Sequence, residues 1–195
     1  MKLIIVRHGQ TKANLEGVIE GGGREGELSE LGWKQVKKVA LRLKDEKIDY
    51  IYSSPLKRAA DTAKEIAKFH PDTPLKFVDD LREQNLGELE GKTKAELGFE
   101  KHVVVKPKTG EPDEKFFERA KNFILKLLEK HHGKTVLIVA HGGINNNIIC
   151  FITGKDYHEN RSMPVLPNTS LTIFEFDEDK NHKIVLMGCA KHLEA

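Results

Sequence analysis

Two histidines and an arginine lie where they could act together on an anionic ligand. Arg7 and His8 directly follow the apolar run 3–6, and His141 directly follows a second apolar run, 136–140. Arginine offers a planar fork of donors that matches phosphate oxygens, and a neutral imidazole can attack phosphorus or carry a proton. Each residue could equally pair with an acid or a backbone group at a sheet edge.

Arg58 is a second arginine whose position favours a ligand over packing. It falls in the first turn of a helix that Ser54 as N-cap and Pro55 as first residue are expected to begin. A cation at a helix N-terminus opposes the helix dipole. A bound anion reverses that sign, because the guanidinium and the free amides would then both face negative charge.

The stretch 81–91 carries acids and amides around two glycines and does not have the pattern of a core element. One carboxylate in it could serve as a general acid. An ordinary solvated acidic loop explains the same composition.

Alternating apolar strands and amphipathic helices predict the fold. Strands are expected near 3–6, 50–52, 75–78, 136–140, 171–176 and 183–187, with helices between most of them. We therefore expect an α/β protein, a three-layer α/β/α sandwich with a mostly parallel central sheet. Ligands of such sheets bind beyond the carboxyl ends of the strands. Trp33 is expected to pack on the core face of the helix that Ser29 caps.

The 195 residues, 38% of them hydrophobic, predict one domain over 1–195 with a small lid insertion at about 84–115. The net charge of +2 gives no reason to expect a nucleic acid or membrane partner. The start of the chain lacks a secretory apolar region, and no apolar run is long enough to span a bilayer. Cys150 and Cys189 form no disulfide framework or metal cluster. A cytoplasmic protein is the expectation.

Four motifs then occur in a familiar order along nearly the whole chain. They are Arg-His-Gly-Gln-Thr at 7–11, Ser-Ser-Pro-Leu-Lys-Arg-Ala at 53–59, Leu-Arg-Glu at 81–83 and His-Gly-Gly at 141–143. By these motifs the chain resembles the histidine phosphatase (phosphoglycerate mutase-like) superfamily and its small phosphatase branch.

The resemblance implies a role for each site residue. His8 would be the nucleophile that takes the phosphoryl group, and Glu83 would be the proton donor. The phosphate oxygens would be held by Arg7, Arg58 and His141, with Asn14, Gln10 and Gly142 lining the pocket. Two guanidiniums and an imidazole could compensate the phosphate charge without a metal, so neither a metal nor another cofactor is expected. The implied activity is metal-independent hydrolysis of small phosphomonoesters through phosphohistidine, and the implied partner is a small phosphorylated metabolite.

Two other functions fit the same residues. A cofactor-dependent phosphoglycerate mutase would return the phosphoryl group to its substrate, but such mutases carry a larger insertion than the segment 84–140 between Glu83 and His141. A non-catalytic phosphate-binding regulator would need no proton donor, so Glu83 favours an enzyme.

The substrate is the least constrained part of this interpretation. Sugar phosphates, phosphoserine and nucleoside-like phosphates all fit, because the insertion would set specificity. Lys106 and Lys108 could reach a second anionic group or could be solvated. Where many relatives have a basic residue after His-Gly-Gly, this chain has asparagines at 145–147.

Overall fold

A six-stranded sheet forms the centre of the computed structural model, which describes residues 1–93, 95–98, 107–159, 163 and 165–194. The strand order is β3-β2-β4-β1-β5-β6. The first four strands of that order are parallel, and β5 runs antiparallel to both of its neighbours. The strands are β1 (Lys2–Arg7), β2 (Tyr50–Ser53), β3 (Leu75–Phe77), β4 (Thr135–Ala140), β5 (Leu171–Phe176) and β6 (His182–Cys189).

Helices cover both faces of this sheet. They are α1 (Lys12–Glu16), α2 (Glu30–Leu43), α3 (Lys57–Ala67), α4 (Asp113–Lys130) and α5 (Gly142–Ile152). Because side chains alternate along a strand, Leu3 and Ile5 pack in the core on the side of α4 and α5. Ile4 and Val6 pack in the second core with α2 and α3. The predicted three-layer α/β/α architecture is confirmed.

The predicted start of α3 is wrong. The helix begins at Lys57, and its N-cap Leu56 makes no side-chain capping bond. The Ser54 hydroxyl accepts a hydrogen bond from the Leu56 N–H at 3.3 Å, ahead of the helix. Ser54 resembles an N-cap in sequence because it precedes a proline, but its hydroxyl lies at the sheet edge, within hydrogen-bond distance of His141.

The predicted packing of Trp33 is also wrong, since its side chain is exposed. In the first turn of α2, Gly32 is the residue that faces the core. It lies so close to the Gln10 backbone that a Cβ would be 2.0 Å from the Gln10 carbonyl oxygen. Trp33 follows one residue later and is rotated toward solvent. Further along α2, Val36, Val39 and Leu43 are buried.

The insertion expected at 84–115 is described only in part. Its first half contains a 3-10 turn at Gly87–Leu89. The Glu88 carboxylate accepts hydrogen bonds from Thr109 and from the Lys108 backbone N–H, which lower the pKa of Glu88 to about 2. Lys106 lies outside the described residues. No helix among the described residues is long and apolar enough to cross a membrane.

Candidate active site

The carboxyl ends of three neighbouring parallel strands bring the predicted residues together. In the pairing of β1 with β4, Arg7 lies opposite Ala140, so His8 and His141 emerge side by side. Their ring centroids are 5.1 Å apart. Strand β2 pairs with the other side of β4 and leads into Ser54 and Arg58. The shared sheet edge expected from the sequence is therefore observed.

His8 is held in the form that a nucleophile requires. Its ring is almost fully buried, and its Nδ1 lies 2.7 Å from the Gly9 carbonyl oxygen. A carbonyl can only accept, so Nδ1 carries the proton and Nε2 keeps its lone pair. Burial, followed by the positive charges of Arg58 and Arg7, holds the pKa of His8 well below its usual value. The imidazole is therefore neutral near pH 7.

His141 has the opposite tautomer. Its Nδ1 accepts a hydrogen bond from Arg58 Nε at 3.2 Å. The proton therefore lies on Nε2, which donates to the Ser54 hydroxyl at 2.8 Å. The pKa of His141 is well below its usual value because of burial and then the charges of Arg58, His8, Arg7 and Arg119. His141 is thus a neutral donor in the pocket.

The Arg58 guanidinium is fixed by backbone carbonyls and lies only 1% exposed. Its terminal nitrogens donate to the carbonyl oxygens of Gly21 at 2.7 Å, Arg24 at 2.6 Å and Glu25 at 3.1 Å. The glycine loop 21–26 therefore orients this cation. Glu20, a buried carboxylate, lies 3.9 Å from Arg58 Nε and supplies the opposite charge.

The glycine loop is itself held by Glu90. The Glu90 carboxylate accepts hydrogen bonds from the N–H groups of Gly22 and Gly23 at 3.1 Å. A Cβ at Gly21 would lie 2.2 Å from Glu90 Oε1, so this approach requires glycine there. Glu90 thus positions Arg58 indirectly, through the loop.

Glu83 caps helix α5 from a separate loop. Its carboxylate accepts hydrogen bonds from the backbone N–H groups of Gly143 at 2.8 Å and Ile144 at 3.1 Å. Those amides would otherwise lack partners, since the N-cap His141 makes no capping bond with its side chain. A Cβ at Gly143 would lie 2.5 Å from Glu83 Oε1. The second glycine of His-Gly-Gly therefore makes room for this carboxyl group.

Arg7 and Gly142 adjoin each other at the same edge. The Arg7 guanidinium donates from Nη1 to the Leu166 carbonyl oxygen. Its Nε is buried and has no hydrogen-bond partner among the described residues, which leaves that donor available to an anion. Gly142 lies against the guanidinium, because a Cβ there would be 3.6 Å from Arg7 Nε.

Of the two predicted pocket residues Asn14 and Gln10, only Asn14 contacts the described residues around Arg58. The Asn14 amide nitrogen donates to Glu20 at 3.3 Å, which places Asn14 beside the Arg58 side of the pocket. The Gln10 side-chain carbonyl accepts from Ser29 Oγ at 3.0 Å, at the start of α2. The described contacts of the Gln10 side chain therefore lie with α2 rather than with the imidazoles.

The segment before β5 contacts the backbone at His8 and was not predicted from the sequence. Asn168 Nδ2 donates to the His8 carbonyl oxygen at 3.0 Å and to Asn14 Oδ1 at 3.2 Å. The Thr169 N–H donates to the Arg7 carbonyl oxygen at 3.0 Å. The strand direction would have indicated this contact. Because β5 runs antiparallel to β1, the residues that precede β5 lie at the edge of the sheet where β1 ends. Glu20 was also missed, and it belongs to no pattern that marks a site. Ser54 lies in the motif at 53–59 but was expected only to cap a helix.

Known proteins are similar to this chain in sequence. The family model of the histidine phosphatase superfamily (branch 1) matches residues 3–189. Phosphoglycerate mutase-like protein 4 of Arabidopsis thaliana is 32% identical, over 99% of this chain and 87% of that protein. A metal-independent phosphoserine phosphatase of the same plant is 37% identical, over 78% of this chain and 68% of that protein.

Solved structures agree with these relatives. YhfR of Bacillus stearothermophilus superposes with a TM-score of 0.88 at 28% identity, over 98% of both chains. A mutant phosphoserine phosphatase from Entamoeba histolytica in complex with phosphoserine superposes with a TM-score of 0.84 at 29% identity, also over 98% of both chains.

Proposed function

Because this chain belongs to the histidine phosphatase superfamily and is a phosphoric monoester hydrolase, we propose that it hydrolyses small phosphomonoesters without a metal ion, through a phosphohistidine on His8. The observation that carries the proposal is the state of His8. It is buried and neutral, its proton is held by the Gly9 carbonyl at 2.7 Å, and it lies beside His141. Such an imidazole presents a lone pair on Nε2 to an electrophile.

The first step forms a bond between His8 Nε2 and phosphorus while the bond from phosphorus to the ester oxygen breaks. Arg7 and Arg58 balance the charge on the phosphoryl oxygens, and His141 would offer them the Nε2–H that it donates to Ser54 in the free enzyme. The leaving oxygen takes a proton from the Glu83 carboxyl group and departs as an alcohol.

The second step releases inorganic phosphate. Water attacks the phosphorus of phosphohistidine, the N–P bond breaks, and the Glu83 carboxylate takes the proton of the water. Each turnover therefore returns Glu83 to its protonated form and His8 to its neutral form. The enzyme's own residues supply both the nucleophile and the acid–base group.

Phosphate release from p-nitrophenyl phosphate in excess EDTA tests the proposal directly. Wild type is expected to release phosphate and His8→Ala is expected to lose this activity. His132→Ala, which changes an exposed histidine at the end of α4, is the matched control and should behave like wild type. Phosphoserine is the first natural ester to assay, because one relative is a phosphoserine phosphatase by name.

The alternatives give different results in the same assay. A phosphoglycerate mutase would release little phosphate and would isomerise phosphoglycerate. A phosphate-binding regulator would bind phosphate without turnover of any ester. Metal-independent turnover that persists in His8→Ala would contradict the phosphohistidine mechanism.

A further inference from the structure

The proposed proton donor lines a surface cavity that no step above uses. This cavity has a volume of about 440 Å³, and its walls include Gly22, Arg82, Glu83, Asn85 and Glu111. An alcohol that takes its proton from Glu83 must leave from beside Glu83. The cavity is therefore the natural place for the leaving group, and its size suits a small metabolite.

Arg82 presents unused donors in this cavity. Its Nε donates to the Asp79 carboxylate at 2.6 Å, and the four N–H groups of its two terminal nitrogens have no hydrogen-bond partner among the residues that the structure describes. Its backbone is fixed, because its N–H donates to the Asp79 carbonyl at 2.9 Å and its own carbonyl accepts from Arg119 Nη1 at 2.9 Å. The side chain is 38% exposed and is held, among the described residues, only by Asp79, so its two free N–H pairs are accessible to a carboxylate, which they match in a bidentate pair.

The other arginine of the cavity is already neutralised. Arg119 donates from Nε and Nη2 to both oxygens of Glu111, at 2.9 and 2.7 Å. Its Nη1 donates to the carbonyl oxygens of Asp80 and Arg82. Among the cavity residues that the structure describes, Arg82 is therefore the cation that has unpaired N–H donors.

We propose that Arg82 binds a carboxylate on the leaving group, so that the enzyme prefers phosphate esters of hydroxy acids to esters of simple alcohols. This inference rests on the proposed function. An ammonium group on the leaving group is not required, because Asp79 and Glu111 are already paired with Arg82 and Arg119. Phosphoserine and 3-phosphoglycerate should therefore both be good substrates, and phosphoethanolamine, which is phosphoserine without its carboxylate, should be poor.

The test is the ratio of kcat/KM for phosphoserine to kcat/KM for phosphoethanolamine. In wild type we expect a ratio of about 10 to 100, the range of a hydrogen bond between charged groups. Arg82→Gln should lower the ratio to near one, and Arg82→Lys, which keeps the charge but loses the planar fork, should give an intermediate value. Arg42→Gln, at a half-exposed arginine of α2, is the control and should keep the wild-type ratio.

Two outcomes would overturn the inference. One is a wild-type ratio near one, and the other is a wild-type ratio that persists in both Arg82 variants. The proposed function is tested separately by p-nitrophenyl phosphate: if wild type releases phosphate from it but shows no preference for the carboxylate, only the role of Arg82 fails. If wild type hydrolyses no ester, the proposed function fails first.

Discussion

At the scale of single residues, hydrogen bonds decide which atoms can react. The Gly9 carbonyl keeps the His8 proton on Nδ1, whereas the Arg58 N–H keeps the His141 proton on Nε2. His8 thus presents a free lone pair on Nε2 and His141 presents an N–H there, although both imidazoles are buried and neutral. Glu83 is the third titratable residue of this site, and its carboxylate is held by the backbone N–H groups at the start of α5.

Glu83→Gln tests the two proton transfers proposed for this residue. Glutamine keeps an acceptor oxygen for only one of the Gly143 and Ile144 amides, and it can neither give nor take the proton. We expect kcat to fall by about 10²- to 10⁴-fold, with the inhibition constant of inorganic phosphate within about threefold of wild type, since the phosphate ligands remain.

A burst measurement makes this test sharper. The p-nitrophenolate leaving group needs little help from an acid, so the first step should survive in Glu83→Gln and the hydrolysis of phosphohistidine should become limiting. A burst of p-nitrophenol followed by slow turnover is the expected trace. An equal loss of turnover and phosphate affinity, without a burst, would mean that Glu83 only supports the pocket.

Sequence reasoning found the residues at this scale that belong to motifs. His8, Arg58, Glu83 and His141 could be placed because each lies in a short pattern with a chemical reason. Glu20 could not, because a single carboxylate beside glycines has the same appearance whether it is buried or exposed. Ser54 was expected to cap a helix because it precedes a proline, whereas its hydroxyl accepts a hydrogen bond from His141 Nε2. Pairings that depend on tertiary approach leave no local signal.

At the scale of elements, the antiparallel strand β5 completes a site that parallel strands begin. The segment 166–169, which precedes β5, contacts Arg7, His8 and Asn14. Thr169 is fully buried and has a φ of 57°, which is uncommon for a residue other than glycine. Such a conformation persists only where surrounding contacts enforce it. Here those contacts include its N–H bond to the Arg7 carbonyl.

Asn168→Ala tests whether this segment positions the nucleophile. The change removes the donor to the His8 carbonyl and to Asn14, and should cost about 1 kcal/mol of stability. We also expect the single-turnover rate of phosphohistidine formation to fall about tenfold, because small displacements of a nucleophile are costly. Rapid-quench measurement of the phosphoenzyme checks this.

The matched control is Asn181→Ala. Asn181 also makes side-chain hydrogen bonds, to Asp177 in the turn between β5 and β6, but it lies outside the site. It should lower stability without slowing phosphohistidine formation. If both variants lose stability and neither loses rate, Asn168 has only a structural role.

At the scale of the whole molecule, buried histidines set the response to acid. The pKa values of His8, His141, His131, His70 and His192 are all lowered, and burial is the largest cause in each case. His131 illustrates the packing: its Nε2 lies 2.8 Å from the Tyr52 hydroxyl in the core beside α4. The folded state therefore holds these imidazoles neutral where an unfolded chain would protonate them.

The free energy of unfolding should consequently fall as the pH drops below about 6.5, the value for histidine in an unfolded chain. Lowered folded pKa values mean that the unfolded state binds more protons, so stability is greatest above that pH and decreases below it. Each histidine that stays neutral while the unfolded chain is protonated contributes about 1.4 kcal/mol per pH unit.

Urea denaturation between pH 7.5 and 5.0, in buffers without phosphate, measures this dependence. Replacing His141 by asparagine should reduce the slope, because one proton fewer is taken up on unfolding, whereas His132→Ala should leave the slope as in wild type, since that histidine is exposed. A free energy of unfolding that stays constant from pH 7 to pH 5 would show that these imidazoles take up protons in the folded protein over the same pH range as in the unfolded chain. His8 would then be neutral only above about pH 6.5, and burial would not be what keeps it ready to attack phosphorus.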